Sequence, residues 1–198
     1  MTTVAVRSDM KHAIVPAPLQ TFISEPTAVT GTTHLPNEQS LARQILHNLQ
    51  YQHYWTDLQV HTHSPLTDKP LPRPLVSGLS PQRLYVHPDE QVELLKKADR
   101  ERKARAGDEA GGLEVKPEPE REWILPTRLN ETWTLRRLAE VFDAISMVPS
   151  ATDSSSTAKD SPANPWRTTK RVLLATVGTD STVVYYIVHD GVVKPRQN

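Results

Sequence analysis

Seventeen prolines stand in this chain of 198 residues, and most gather in four clusters: Pro16–Pro36, Pro65–Pro81, Pro117–Pro126 and Pro149–Pro165. Proline has a fixed φ and no backbone N–H, so it ends helices and is kept out of sheet interiors. The clusters therefore set the length of every piece that can fold. Residues 1–35, rich in Thr and Pro and without a hydrophobic period, read as a disordered extension. Residues 36–198 read as one domain, with a charged helix and linker inserted at 89–120 and a flexible Ser/Thr/Pro-rich loop at 148–169.

Between the clusters, periodicity assigns elements. In "NEQSLARQILHNLQYQHY", Leu41, Ile45, Leu46, Leu49 and His53 recur at helical spacing, with Asn37 placed to cap the start. "WTDLQVHT" alternates, with Leu58 and Val60 on one face of a strand. Residues 64–81 read as Pro-rich loop, followed by a short strand "RLYV". "DEQVELLKKADRERKARAGDE" reads as an exposed helix, because Glu93/Lys97, Asp99/Lys103 and Glu101/Arg105 place acid four residues before base. "REWILPT" is a strand. "TLRRLAEVFDAI" is a helix with Thr134 as N-cap and Leu135, Leu138, Phe142 and Ile145 along one stripe.

The chain closes with "KRVLLATVGTDSTVVYYIVHDGVV", two β-prone runs joined at Gly178–Ser181, then turned again at Asp190-Gly191, a favoured hairpin pair. The unbroken "VLLATV" predicts a central strand covered on both faces. The run Val183–Val188 does not alternate either, which predicts cover on both of its faces, one by the domain's helices and one by a partner or a helix. The expected fold is a compact α/β domain of about 110–120 residues, a mixed β-sheet flanked by helices.

Composition narrows the chemistry. Without cysteine there is no disulfide, thiol catalysis or cysteine-ligated zinc. Lys+Arg and Asp+Glu are both 23, so the basic surplus of an autonomous nucleic-acid binder is missing. RNA would be met beside a basic partner. No apolar run reaches membrane-spanning length, and the first residues lack a signal-peptide core and the Arg/Ser pattern of a transit peptide. His61 and His63 share a strand face but have no third zinc ligand at a recognisable spacing, so no metal or cofactor is expected. Tyr185, Tyr186, His189 and Lys194 have the residue types of a metal-free ribonuclease site, but neighbouring strand residues point to opposite faces, which favours a core strand.

As a set, "YQHYWTDLQV", "EWILPT", "TLRRLAEVFDAI" and "RVLLATVGTDSTVVYYIVHDGVVKPRQN" resemble the smallest subunit of the eukaryotic tRNA-splicing endonuclease, the Sen-fifteen type. The resemblance covers roughly residues 38–62, 82–88 and 121–198. It implies a nuclease-like mixed sheet and a heterotetramer of two catalytic and two structural subunits. That complex cuts precursor tRNA at both intron ends, leaving a 2′,3′-cyclic phosphate and a 5′-hydroxyl.

The resemblance also implies that this chain is not itself the enzyme. Catalytic members use a tyrosine, a histidine and a lysine. Here His87 stands at the tyrosine position, Glu120 (or Arg121) at the histidine position and Lys170 at the lysine position. A lysine alone cannot both take the proton of the 2′-hydroxyl and return one to the leaving oxygen. The last strands are expected to pair with a catalytic subunit of the Sen-thirty-four type, through Val183, Tyr185, Tyr186, Val188, Val192 and Val193. The turn with Asp180 stands where the family places an acidic plug. The alternatives are a ribonuclease with a degenerate site of its own and a homodimer formed when the chain is isolated. The family implies the nucleus, or in some fungi the cytosolic face of mitochondria.

Overall fold

A computed structural model describes residues 15–24, 35–104, 115, 117–150 and 164–194. Its elements are α1 (Pro18–Ser24), α2 (Pro36–Gln52), β1 (Thr56–His63), β2 (Pro70–Leu79), α3 (Pro88–Ala104), β3 (Arg121–Arg128), α4 (Leu135–Ala144), β4 (Arg171–Val177) and β5 (Val183–His189). The strands form one mixed sheet in the order β1-β2-β3-β4-β5. Only β3 and β4 are parallel, and α4 lies in the crossover between them. This is the α/β class expected.

The sheet is covered on both faces because each strand alternates. Ile124, Leu173, Ala175 and Val177 face α2, where Leu41, Ala42, Ile45 and Leu49 supply the other half of the core. Trp123, Leu125 and Val172 face α4, against Val141, Phe142 and Ile145. β4 is an interior strand between β3 and the edge strand β5, and it is largely buried on both sides, as the "VLLATV" run predicted. Gly78 on β2 gives room to its neighbour: a Cβ there would stand 2.5 Å from Leu58 Cδ2 on the adjacent strand, and the leucine would have to shift.

Several expectations change. Residues 70–79 are not loop but a ten-residue strand. Its register on β1 passes from His61↔Leu75 to His63↔Pro70, so Pro72 and Pro74 fall in an irregular step, and the β3 ladder begins only at Val76↔Ile124. The prolines thus sit where no ladder donor is required. "RLYV" is not a strand, because β2 already occupies the side of β3 it would need. Asn37 does not cap α2. Leu35 holds the N-cap position and Pro36 opens the helix, with its missing N–H among the donors that a helix start leaves free. Within 1–35, residues Pro18–Ser24 are helical, and the Phe22 ring rests 5.6 Å from His47 of α2. The remainder of that extension, and 151–163 of the expected loop, lie outside the described residues.

The two best helix readings hold. In α4 the Thr134 side chain accepts a hydrogen bond from Arg137 N, although Leu135 at its start is exposed. α3 is a solvated charged helix in which Asp99 pairs with Lys103 at 2.7 Å. At the far end, Gly191 turns at φ +106°, but Val192–Lys194 do not return as a strand. Lys194 Nζ instead reaches Asp89 at 2.6 Å, so Asp190-Gly191 makes a turn without a hairpin.

Candidate functional site

Strand parity decides where the residues at the three family positions go. Lys170 and Arg171 are neighbours at the start of β4 and point to opposite faces. Lys170 Nζ donates to Phe142 O at 2.7 Å, on the α4 side, where its charge complements the C-terminal end of that helix. Arg171 turns to the α2 side and meets Glu122 and Glu120. Glu120 also takes Arg83, Arg167 and Asn164. The carboxyl at the histidine position is therefore held among three guanidiniums. His87, at the tyrosine position, stacks on Trp166 at 5.3 Å, and its Nδ1 accepts from Asp89 N at 3.2 Å. His87 and the Glu120 cluster share one end of the sheet, joined through Trp166 and Arg167, while Lys170 is bound on the other face.

Electrostatics agrees with a structural use of these carboxylates. Burial pushes Glu120 up, but the Asn164 hydrogen bond and the charges of Arg171, Arg83 and Arg167 outweigh it and hold the carboxyl below its ordinary range. Glu131 is alike: burial raises it, and hydrogen bonds from Arg73 and Arg137 bring it below. A carboxyl lowered by folding adds stability that is complete above the unfolded value of about 4.3 and is lost as pH falls through the folded one. Urea-unfolding stability should therefore drop as pH goes below ~4. Glu120→Gln with Glu131→Gln should begin less stable at neutral pH and lose less on acidification. Equal acid sensitivity in the variant would disprove the assignment.

The expected docking residues divide. Val183 and Tyr185 pack into the α2-side core, and Val188 packs against the α4-side core. The Tyr185 hydroxyl donates to Asn48 Oδ1, and burial pushes the phenol far above its usual pKa, so it is no proton acceptor. Tyr186 is exposed, Val192 is 98% exposed and Val193 is half-buried. Cover from the described chain is therefore partial: Val183, Tyr185 and Val188 are packed, while Val184, Tyr186 and Ile187 are open to solvent. Among the described residues β5 is an edge strand, with no strand paired on its outer side. Asp180 serves its own turn, accepting from Thr182 N at 3.1 Å and Thr182 Oγ1 at 2.8 Å. These hydrogen bonds lower its pKa.

His61 and His63 do not meet. A β-bulge separates them, His61 Nε2 lies 2.8 Å from Ser77 Oγ, and His63 is exposed. Among the described residues no group of three or more metal-ligating side chains is arranged to hold an ion.

Sequence reasoning missed a cleft of about 90 Å³ at the His87 end of the sheet. Its lining includes Tyr85, His87, Trp166, Arg171 and His189. Tyr85 meets His189 edge-on at 4.9 Å and lies under the Arg171 guanidinium at 5.7 Å. No local spacing announces it, since its walls come from segments about eighty residues apart. The one signal was parity: Arg171↔His189 are opposite each other once β4 and β5 pair.

Comparison with known proteins bears on this geometry. The family model described as "Sen15 protein" matches residues 44–198. The chain is also similar to a Neurospora crassa protein named "Probable tRNA-splicing endonuclease subunit tsp-1". The two are 44% identical over 163 residues, which is 81% of this chain and 66% of that protein's length.

Proposed function

The chain belongs to the Sen15 family, and from that premise we propose that it is a non-catalytic structural subunit of a tRNA-splicing endonuclease. The observation that carries the reading is the fate of the three family positions. Glu120 is ion-paired with arginines, Lys170 is bound to a helix carbonyl, and His87 lines a cleft of which Lys170 is not part. General acid–base cleavage needs two groups on opposite sides of one phosphate. The substrate proposed for the complex is precursor tRNA, cut at both splice sites to 2′,3′-cyclic phosphate and 5′-hydroxyl ends.

Docking to a catalytic subunit of the Sen-thirty-four type is proposed at β5. The strand presents a free edge and the exposed side chains of Val184 and Tyr186, a combination that invites β-addition by a partner strand. Val192 extends the apolar surface. The other catalytic and structural subunits of the heterotetramer would follow through that first contact, and an isolated chain would pair with itself along the same edge. Nuclear residence is proposed with it, the cytosolic face of mitochondria being the alternative that imaging of a tagged chain would reveal.

One observation favours a second reading, a ribonuclease in its own right: His87 and His189 line the same cleft. One experiment separates the two. The tagged chain is purified alone and with its partners, and each preparation is given intron-containing tRNA. The structural reading expects cleavage only from the assembled complex. Cleavage by the isolated chain, abolished by His87→Gln or His189→Gln, would establish the second reading instead.

The docking surface has its own test. Val184→Asp with Tyr186→Asp should leave the thermal transition nearly unchanged, because both side chains already face solvent. It should prevent co-purification with the catalytic subunit, since two carboxylates would enter an apolar contact without counter-charges. Assembly of a fully active complex by this double variant would place the docking surface elsewhere.

A further inference from the structure

The cleft beside β5 has properties that its structural neighbours do not require. Among the described residues lining it there is no carboxylate, whereas Arg167, Arg171, Lys194 and two histidines face it. The acids that balance the arginines, Glu120 and Glu122, are not part of its lining, and Asp89 meets Lys194 and His87 from outside the described lining. The donors are held in place. His87 Nδ1 is occupied by the Asp89 N–H, which leaves the proton of the neutral ring on Nε2. Trp166 fixes the plane of that ring by stacking. Arg167 is 8% exposed and lines the cleft, and its Nε is buried without a hydrogen-bond partner. Thr168 and Thr169 also line the cleft, and Thr169 Oγ1 lies 3.4 Å from His189 Nδ1.

We propose that this cleft binds a phosphate group, the phosphodiester of a single RNA strand, through His87, His189, Thr168 and Thr169 backed by Arg171. Preorganised N–H and O–H donors around a low-acid cavity suit a tetrahedral oxyanion, because charge-assisted hydrogen bonds to fixed donors are the strong ones. The volume of about 90 Å³ is well above what one water needs. Arginine and histidine field at this place is positive: burial and the charges of Arg171 and Arg167 all disfavour a proton on His189. An anion would reverse that penalty. The RNA source rests on the subunit reading above, while anion binding does not.

The test uses the full chain, isotopically labelled, and follows its proton–nitrogen correlation spectrum. Inorganic phosphate is added at constant ionic strength, and a short single-stranded oligoribonucleotide is added in a parallel series. The expected result is a saturable shift of the Trp166 indole and of the Thr168, Thr169 and His189 amides in both series. The oligoribonucleotide should act at about tenfold lower concentration. His87→Gln with His189→Gln should weaken both by about tenfold, and so should Thr168→Val with Thr169→Val, a pair that leaves the rings in place. Signals of the α2 and α4 cores should not move in either variant, which certifies the fold.

Absence of a saturable shift in the cleft overturns the proposal. So does unchanged binding in both variants. Phosphate binding without RNA binding overturns the RNA source and leaves a small phosphate as the ligand. RNA shifts confined to the charged surface of α3 overturn the cleft while leaving the subunit reading intact, since that is judged by co-purification.

Discussion

Ending the chain after Asp180 should abolish cooperative unfolding altogether. The deletion removes β5, which pairs with β4 along its whole length from Arg171↔His189 to Val177↔Val183. It also removes Val183 and Tyr185 from one core and Val188 from the other. Loss of a buried aromatic side chain alone costs about 3–5 kcal/mol, against a typical total of about 5–15 kcal/mol. The apolar β4 would then become an exposed edge, a template for aggregation. Circular dichroism on heating and size-exclusion chromatography should find no transition and no monomer. A shortened chain that still melts cooperatively would mean that β5 belongs to a docking element rather than to the core.

Replacing Glu122 by Ala should be the most damaging single substitution among the charged residues, with a loss of about 3–5 kcal/mol in urea unfolding. Glu122 is 3% exposed. One oxygen accepts from Arg171 Nε at 3.1 Å, and the other accepts from Arg171 Nε at 3.0 Å and from Arg167 at 3.2 Å. Both guanidiniums are themselves buried. Without Glu122 the one carboxylate left to them would be Glu120, which already serves Arg83. The expense lies in leaving charge buried and unpaired, not in the worth of the pair itself. The surface pair Arg136–Glu140 is the control, and Glu140→Ala should change stability by no more than ~0.5 kcal/mol. Equal effects of the two substitutions would show that the Arg–Glu cluster is not what ties β3 to β4.

Much of the architecture was legible in the residues themselves. α2 and α4 follow from apolar positions three and four apart, and β4 from an unbroken apolar run, because both signals report which faces must leave water. The position of β5 was legible too, but not its exposure. Six apolar or aromatic residues in a row read as covered on both faces, one by helices and the other by a partner or a helix, and within the described chain Val184 and Tyr186 stay uncovered. A sequence records that cover is needed without recording whether the same chain supplies it.

Local sequence was least informative where proline and charge were involved. Pro70, Pro72 and Pro74 argued against a strand, and β2 forms because an irregular register relieves them of ladder donors. Glu120, Arg121 and Glu122 look alike on a page of charged residues. Only the pairing of β3 with β4 sends Glu122 and Arg171 to one face, and Lys170 to the other. The cleft is the same case, since His87 and His189 are a hundred residues apart in sequence and share a wall once five strands are in register. The sequence by itself determined the class of fold, the core-facing stripes and the family resemblance, because these depend on short-range periodicity. Tertiary structure alone decided which charges neutralise one another and which donors remain to face a ligand, because those depend on contacts between distant segments.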